Sequence, residues 1–146
     1  LRPAAAARVM TTATREARNI EATKAIYAAV PAGDLQTALD LMDPEVRITY
    51  YGVPAIPYAG DYRGIEEAVT FFTRVGENIA ITEMQAWKYI ADGDELATWG
   101  RQRFRHLATG YEWESEFAHI ITLREGRWLH FRDFMNSALT LEAFTR

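Results

Sequence analysis

The chain has 146 residues, 49% of them hydrophobic and 12% aromatic, enough for one compact domain with a sizeable core. A formal charge of -4, with no clustered basic stripe, argues against a nucleic-acid partner, because that affinity rests on Lys and Arg neutralising phosphates. Without cysteine there is no disulfide, thiolate nucleophile or thiolate metal site, and no apolar run approaches the roughly 20 residues that span a bilayer, so no membrane partner and a cytoplasmic location are expected.

The opening Leu1 to Val9, LRPAAAARV, precedes Met10, and residues 1–13 read as a flexible extension, or one foreign to the native chain, outside the fold. Its Arg-rich, acid-poor start also fits a transit peptide. The 14 Arg against 2 Lys and the abundant alanine suggest a GC-rich bacterial source. From about Thr14, the apolar positions Ile20, Ala25, Ile26, Ala29 and Val30 recur at helical spacing until Pro31-Ala32-Gly33-Asp34 breaks it. Asp34 caps a second predicted helix carrying Leu35, Ala38, Leu39 and Met42, which stops before Pro44.

Val46, Ile48 and Tyr50 alternate as a short strand. YGVPAIPYAGDYRG, with two prolines and three glycines, reads as a long loop before a third helix from about Ile65 to Val75. Four period-two segments follow, about Ile79 to Ala91, Glu95 to His106, Tyr111 to Leu123 and Arg127 to Met135, separated by DGD, LATG and REG turns. Ser137 to Phe144 reads as a closing helix. Helices first and an antiparallel meander after predict a single α+β domain over 14–146, its helices covering one face of a strongly bent sheet.

Trp113, Ser115, Phe117, His119, Ile121 and Leu123 alternate with Glu112, Glu114 and Glu116, so odd positions face inward. With Arg124-Glu125-Gly126 as a three-residue hairpin loop, Leu123 pairs with Arg127, Ile121 with Leu129, His119 with Phe131 and Phe117 with Asp133. Asp133 then points inward and diagonal to His119, at roughly 7 to 8 Å. On the preceding strand Trp99, Arg101, Arg103 and Arg105 belong in solvent, which leaves Leu96, Thr98, Gly100, Gln102 and Phe104 inside. Gln102, Ser115, His119 and Asp133, with Tyr50 at the mouth, therefore put polar groups on an apolar wall. An unpaired buried carboxylate is costly, so these positions predict a cavity.

The order helix, AAVPAGD, helix, DPEVRITYYG, YAGDYRGIEEAVTFF and a meander ending LREGRWLHFRDFMNSA resembles the SnoaL-like polyketide cyclases of the nuclear transport factor 2-like superfamily, over about Ile20 to Phe144. That superfamily also holds ketosteroid isomerase and limonene epoxide hydrolase. The resemblance implies a cone of curved, mixed but mainly antiparallel sheet wrapped around three N-terminal helices, an enclosed apolar pocket, and a homodimer. It places the epoxide hydrolase's water-activating aspartate on Asp133, and that enzyme's partner arginine and second aspartate on Gly100 and Gln102. The isomerase's base falls on Tyr50, its oxyanion aspartate on His119 and its oxyanion tyrosine on Ile26. SnoaL-type cyclases often end the last strand in aspartate, where this chain has Asn136.

Each candidate has a plainer reading beside the functional one. Asp133 is a proton carrier in the cavity, or a surface aspartate if a bulge shifts the strand phase. His119 orients Asp133 and protonates an enolate, or is a satisfied core histidine. Asn136 touches ligand or caps the last helix. Gln102 binds a carbonyl or bonds Ser115 opposite, and Tyr50 donates its hydroxyl into the cavity. Tyr27, Phe72, Trp87, Phe104, Phe117, Phe131 and Met135 read first as core, and Phe104, Phe117, Phe131 and Met135 also as pocket wall. His106 and His130 read as solvated. No metal-ligand spacing, dinucleotide fingerprint or nucleophile elbow is present, so no metal and no cofactor are expected.

The leading expectation is a cofactor-independent cyclase or isomerase for a hydrophobic, oxygenated molecule of polyketide type, working by substrate folding with proton transfer or pericyclic closure. The alternative is a non-catalytic ligand-binding or assembly domain; epoxide hydrolysis and dehydration stand behind both. Dimerisation is expected through the outer sheet face around Trp87, Trp99 or Trp128.

Overall fold

A computed structural model describes residues 11–146; of the expected extension, residues 1–10 lie outside the described residues, and Thr11 already caps the first helix. Helix α1 (Thr12–Ala29) begins where the Thr11 side chain accepts the Thr14 N–H, which satisfies an amide that the first turn leaves free. Asp34 does the same for Thr37 at the start of α2 (Leu35–Asp40). That helix is shorter than expected, because β1 (Met42–Tyr50) is already extended at Met42.

The stretch read as a long loop contains a strand, β2 (Gly60–Arg63), paired antiparallel with β1 from Tyr50 opposite Gly60 to Arg47 opposite Arg63. Its glycine and the prolines upstream mask the strand signal. Helix α3 (Gly64–Asn78) follows, then β3 (Ile79–Asp92), β4 (Glu95–His106), β5 (Glu112–Arg124), β6 (Arg127–Met135) and α4 (Ser137–Thr145). The six strands run in the order β2-β1-β6-β5-β4-β3. β1 and β6 are parallel and the other pairs antiparallel, so the sheet is mixed. The curved, unclosed sheet and its helices form the expected α+β cone.

Bulges do the bending. In β3 the partners skip Trp87, between Ala86 opposite Gly100 and Lys88 opposite Trp99. Gly100 is obligatory at that point, since a Cβ there would stand 1.8 Å from the Gln85 carbonyl oxygen. At this bulge Trp87 is 50% exposed, against its reading as core and in keeping with its reading on the outer sheet face.

The β5–β6 hairpin differs from expectation in two ways that compensate. Its turn has two residues, Glu125 (φ 53) and Gly126 (φ 77), so Arg124 pairs with Arg127 and Leu123 with Trp128. Leu129 is then left over, with Thr122 opposite His130. Before the extra residue the even position Trp128 faces inward, 2% exposed, and it cannot serve the outer face as expected. After it the odd positions Phe131 and Asp133 face inward. The expected pairs of Phe117 with Asp133 and His119 with Phe131 are replaced: His119 stands directly opposite Asp133, and Phe117 opposite Met135. Two one-residue shifts sum to two, which preserves the face and changes the partner.

Candidate functional site

The concave face of the sheet, α1 and α3 enclose a cavity of about 70 Å³ with a mainly apolar wall, including Ile26, Phe71, Phe104, Trp128 and Phe131. Strand alternation brings His119 and Asp133 into it from β5 and β6. They are 2% and 8% exposed. His119 Nε2 stands 3.1 Å from Asp133 Oδ1, yet off the line of a hydrogen bond, so both buried atoms lack a bonded partner. Buried polar atoms are usually satisfied; these two are buried against each other in the cavity wall.

The other ring nitrogen is engaged. Tyr27, reaching across from α1, has its hydroxyl 2.5 Å from His119 Nδ1. Burial, and after it the Asp133 carboxylate, hold this phenol well above its ordinary pKa. A protonated phenol can donate to Nδ1 or accept from it; where it donates, the imidazole hydrogen lies on Nε2, the side facing Asp133. Tyr27 is placed to orient the imidazole, in the manner of a third group orienting an acid–base pair.

Two further phenols complete the polar part. Tyr50 lies beside Asp133 in the parallel β1–β6 pairing, and its hydroxyl contacts Met135 Sδ at 3.7 Å. Tyr58, from the loop before β2, packs edge-on against it with ring centroids 5.1 Å apart. Burial is the first cause raising both phenols, with Asp133 contributing to each. The cavity thus gathers one carboxylate, one imidazole and three protonated phenols in an apolar enclosure.

Of the residues expected at the site, Asp133, His119, Tyr50, Gln102, Phe104, Phe131 and Met135 line the cavity. Three do not. Ser115 is buried, but its hydroxyl donates to the Glu116 carbonyl and accepts the Asn136 N–H, so it does not bond Gln102 opposite. Phe117 packs beside the cavity against His119 and Tyr27, at ring separations of 4.3 and 6.2 Å. Asn136 caps α4 by accepting the Leu139 N–H. His130 is half-buried and bonded to Thr49, not solvated. The sequence alone reads Tyr27 as core and gives no sign of Tyr58. A tyrosine on a helix face and another in a proline-rich loop carry no periodic signal of function, although Tyr27 adjoins Ile26, where the resemblance placed an oxyanion tyrosine. Among the described residues no group of three or more His, Asp or Glu is arranged to hold a metal, and no helix is long and apolar enough to cross a membrane.

The family model described as SnoaL-like domain matches residues 23–131. No curated protein matches the chain. Among solved structures, a nuclear transport factor 2-like protein of unknown function from Burkholderia pseudomallei superposes with a TM-score of 0.81 at 24% identity, covering 88% of this chain and 98% of that one. TerC, crystallised with polyporic acid, gives 0.78 at 22% identity, covering 88% and 99%. A protein of Jannaschia Sp. CCS1, named as a candidate SnoaL-like polyketide cyclase, gives 0.74 at 17% identity, covering 90% and 94%. At these identities the likeness concerns the fold.

Proposed function

The chain belongs to the SnoaL-like domain family, and from that premise we propose that it is a cofactor-independent cyclase or isomerase for a hydrophobic, oxygenated small molecule of polyketide type, in natural-product biosynthesis. The observation that carries this reading is the couple of His119 and Asp133 in the wall of a mainly apolar cavity, with Nε2 and Oδ1 3.1 Å apart and without a bonded partner, backed by Tyr27. A passive apolar pocket gains nothing from such a couple, whose burial is costly.

In this reading Asp133 takes a proton from a carbon beside a substrate carbonyl. The electron pair moves toward the carbonyl oxygen, and the His119 N–H faces the charge that develops there. The carbon then attacks a second carbonyl to close a ring, or is reprotonated elsewhere to complete an isomerisation. In either case the proton held by Asp133 returns to product. Groups of this kind contribute about 10²- to 10⁴-fold, and the remaining acceleration comes from the curved apolar wall holding a flexible chain with its reacting atoms together.

A second reading, a non-catalytic ligand-binding domain, draws on Gly100 and Gln102, which stand where the epoxide hydrolase pattern has charged groups. Comparing wild type with Asp133→Asn on a linear aryl poly-β-ketone tests the proposal. Ring closure should fall at least about 100-fold in the variant while folding survives. Undiminished closure leaves a shape-driven pericyclic or folding role, and an inert wild type that still binds the ketone leaves the binding domain.

A further inference from the structure

A second void lies beside the cavity, a largely apolar groove of about 330 Å³ between the α1–α2 turn, α3 and the start of β3. Val30, Pro31, Phe72, Val75, Ile79 and Ile81 line both voids, so they form the rim where the two meet. Size separates their roles. An apolar cavity of about 150 Å³ is what accepts a single benzene, whereas the inner cavity measures about 70 Å³. It has room for a carbonyl and its neighbouring carbons, and the shared rim gives a longer ligand a way to continue.

Gly76, exposed in the last turn of α3, lines the groove. A Cβ added there would meet no atom within 4 Å. Glycine is a poor helix former, and at this position nothing sterically requires it, so a larger side chain placed here has open space to occupy along the groove. Thr73, one turn earlier, borders the groove and not the cavity.

We infer that this groove is a binding subsite for the apolar tail of an amphiphilic ligand whose carbonyl end enters the cavity, so that the substrate is an elongated oxygenated chain and not a compact ring. The inference rests on the proposed reading of the cavity and extends it to substrate shape. The polar end meets His119 and Asp133 in the cavity wall, and the tail leaves water along Phe72, Val75 and Gly76.

Straight-chain methyl ketones test it. Calorimetric affinities for butan-2-one, hexan-2-one and decan-2-one should rise roughly fourfold for each methylene that leaves water, as far as the groove extends. In Gly76→Leu, which fills the groove, the rise from butan-2-one to decan-2-one should be largely lost; Thr73→Trp serves the same purpose should the first variant fold poorly. Chain-length dependence equal in wild type and both variants, or absent from the wild type, overturns the subsite. So does a change in self-association on Gly76→Leu with the ketone series unaffected, because the groove would then belong to a second copy. Deuterium exchange into butan-2-one, a ketone too short to need the groove, reads the cavity chemistry separately, and the two readings fail on different data.

Discussion

At the scale of single residues, the proposed chemistry rests on three side chains from three elements: Tyr27 on α1, His119 on β5 and Asp133 on β6. Two of them were legible. Inward alternation singled out His119 and Asp133, because an acid and an imidazole on an apolar strand face contradict simple packing. Tyr27 was not, since an aromatic at helical spacing reads as core until the group across from it is known. Its protonation has a measurable consequence. Burial raises the phenols of Tyr27, Tyr50 and Tyr58 above their unfolded value. A raised acid favours its neutral form in the fold, so this contribution to stability is complete below the unfolded pKa of about 10 and is lost as pH rises above it. Spectrophotometric titration should find at least three of the seven tyrosines silent until the protein unfolds in alkali. Seven phenols ionising near pH 10 in a folded protein would contradict the enclosure.

At the scale of elements, the β5–β6 hairpin decides what meets in the cavity. The alternation of β5 was readable, as was the inward face of Asp133. Its partner was not, because a turn one residue shorter and a bulge at Leu129 have no compositional signature. Strand β2 escaped notice for a related reason: four residues after a proline-rich run cannot display alternation. The two inward phenylalanines now separate as well. Phe117 packs against His119 and Tyr27 outside the cavity lining, and Phe104 borders the void while also packing on Trp113 at 5.1 Å. Phe117→Ala should cost about 3 to 5 kcal/mol, with Phe104→Ala below it because part of its surface already faces open space. Thermal unfolding of the two variants measures the order, and equal full penalties would count against the cavity at Phe104.

At the scale of the whole molecule, the succession of helices followed by long alternating strands was enough to reach an α+β cone. The parallel β1–β6 contact was invisible, because a period-two pattern reports a face and not a neighbour. The convex side of the sheet leaves Trp87, Ile90, Trp99, Ile120 and Phe134 at 37 to 50% exposure. Trp128, expected among them, is inside. Aromatic and aliphatic area of this kind commonly marks an interface, and a symmetric dimer through this face is the arrangement we expect in solution. Sedimentation should give a dimer at micromolar concentration, weakened by Trp99→Lys; a monomer at all concentrations would remove the dimer.

The cavity itself is the part of the molecule on which the proposed function stands or falls, and proton transfer inside it can be followed without knowing the natural substrate. Deuterium uptake from D2O into the carbons flanking the carbonyl of butan-2-one, followed by NMR, reports abstraction at carbon directly. Wild-type protein should accelerate uptake over buffer, and Asp133→Asn should lower the acceleration at least about 100-fold while calorimetry still detects the ketone bound. Uptake at the wild-type rate in Asp133→Asn, with the variant folded and binding, would contradict proton transfer by Asp133.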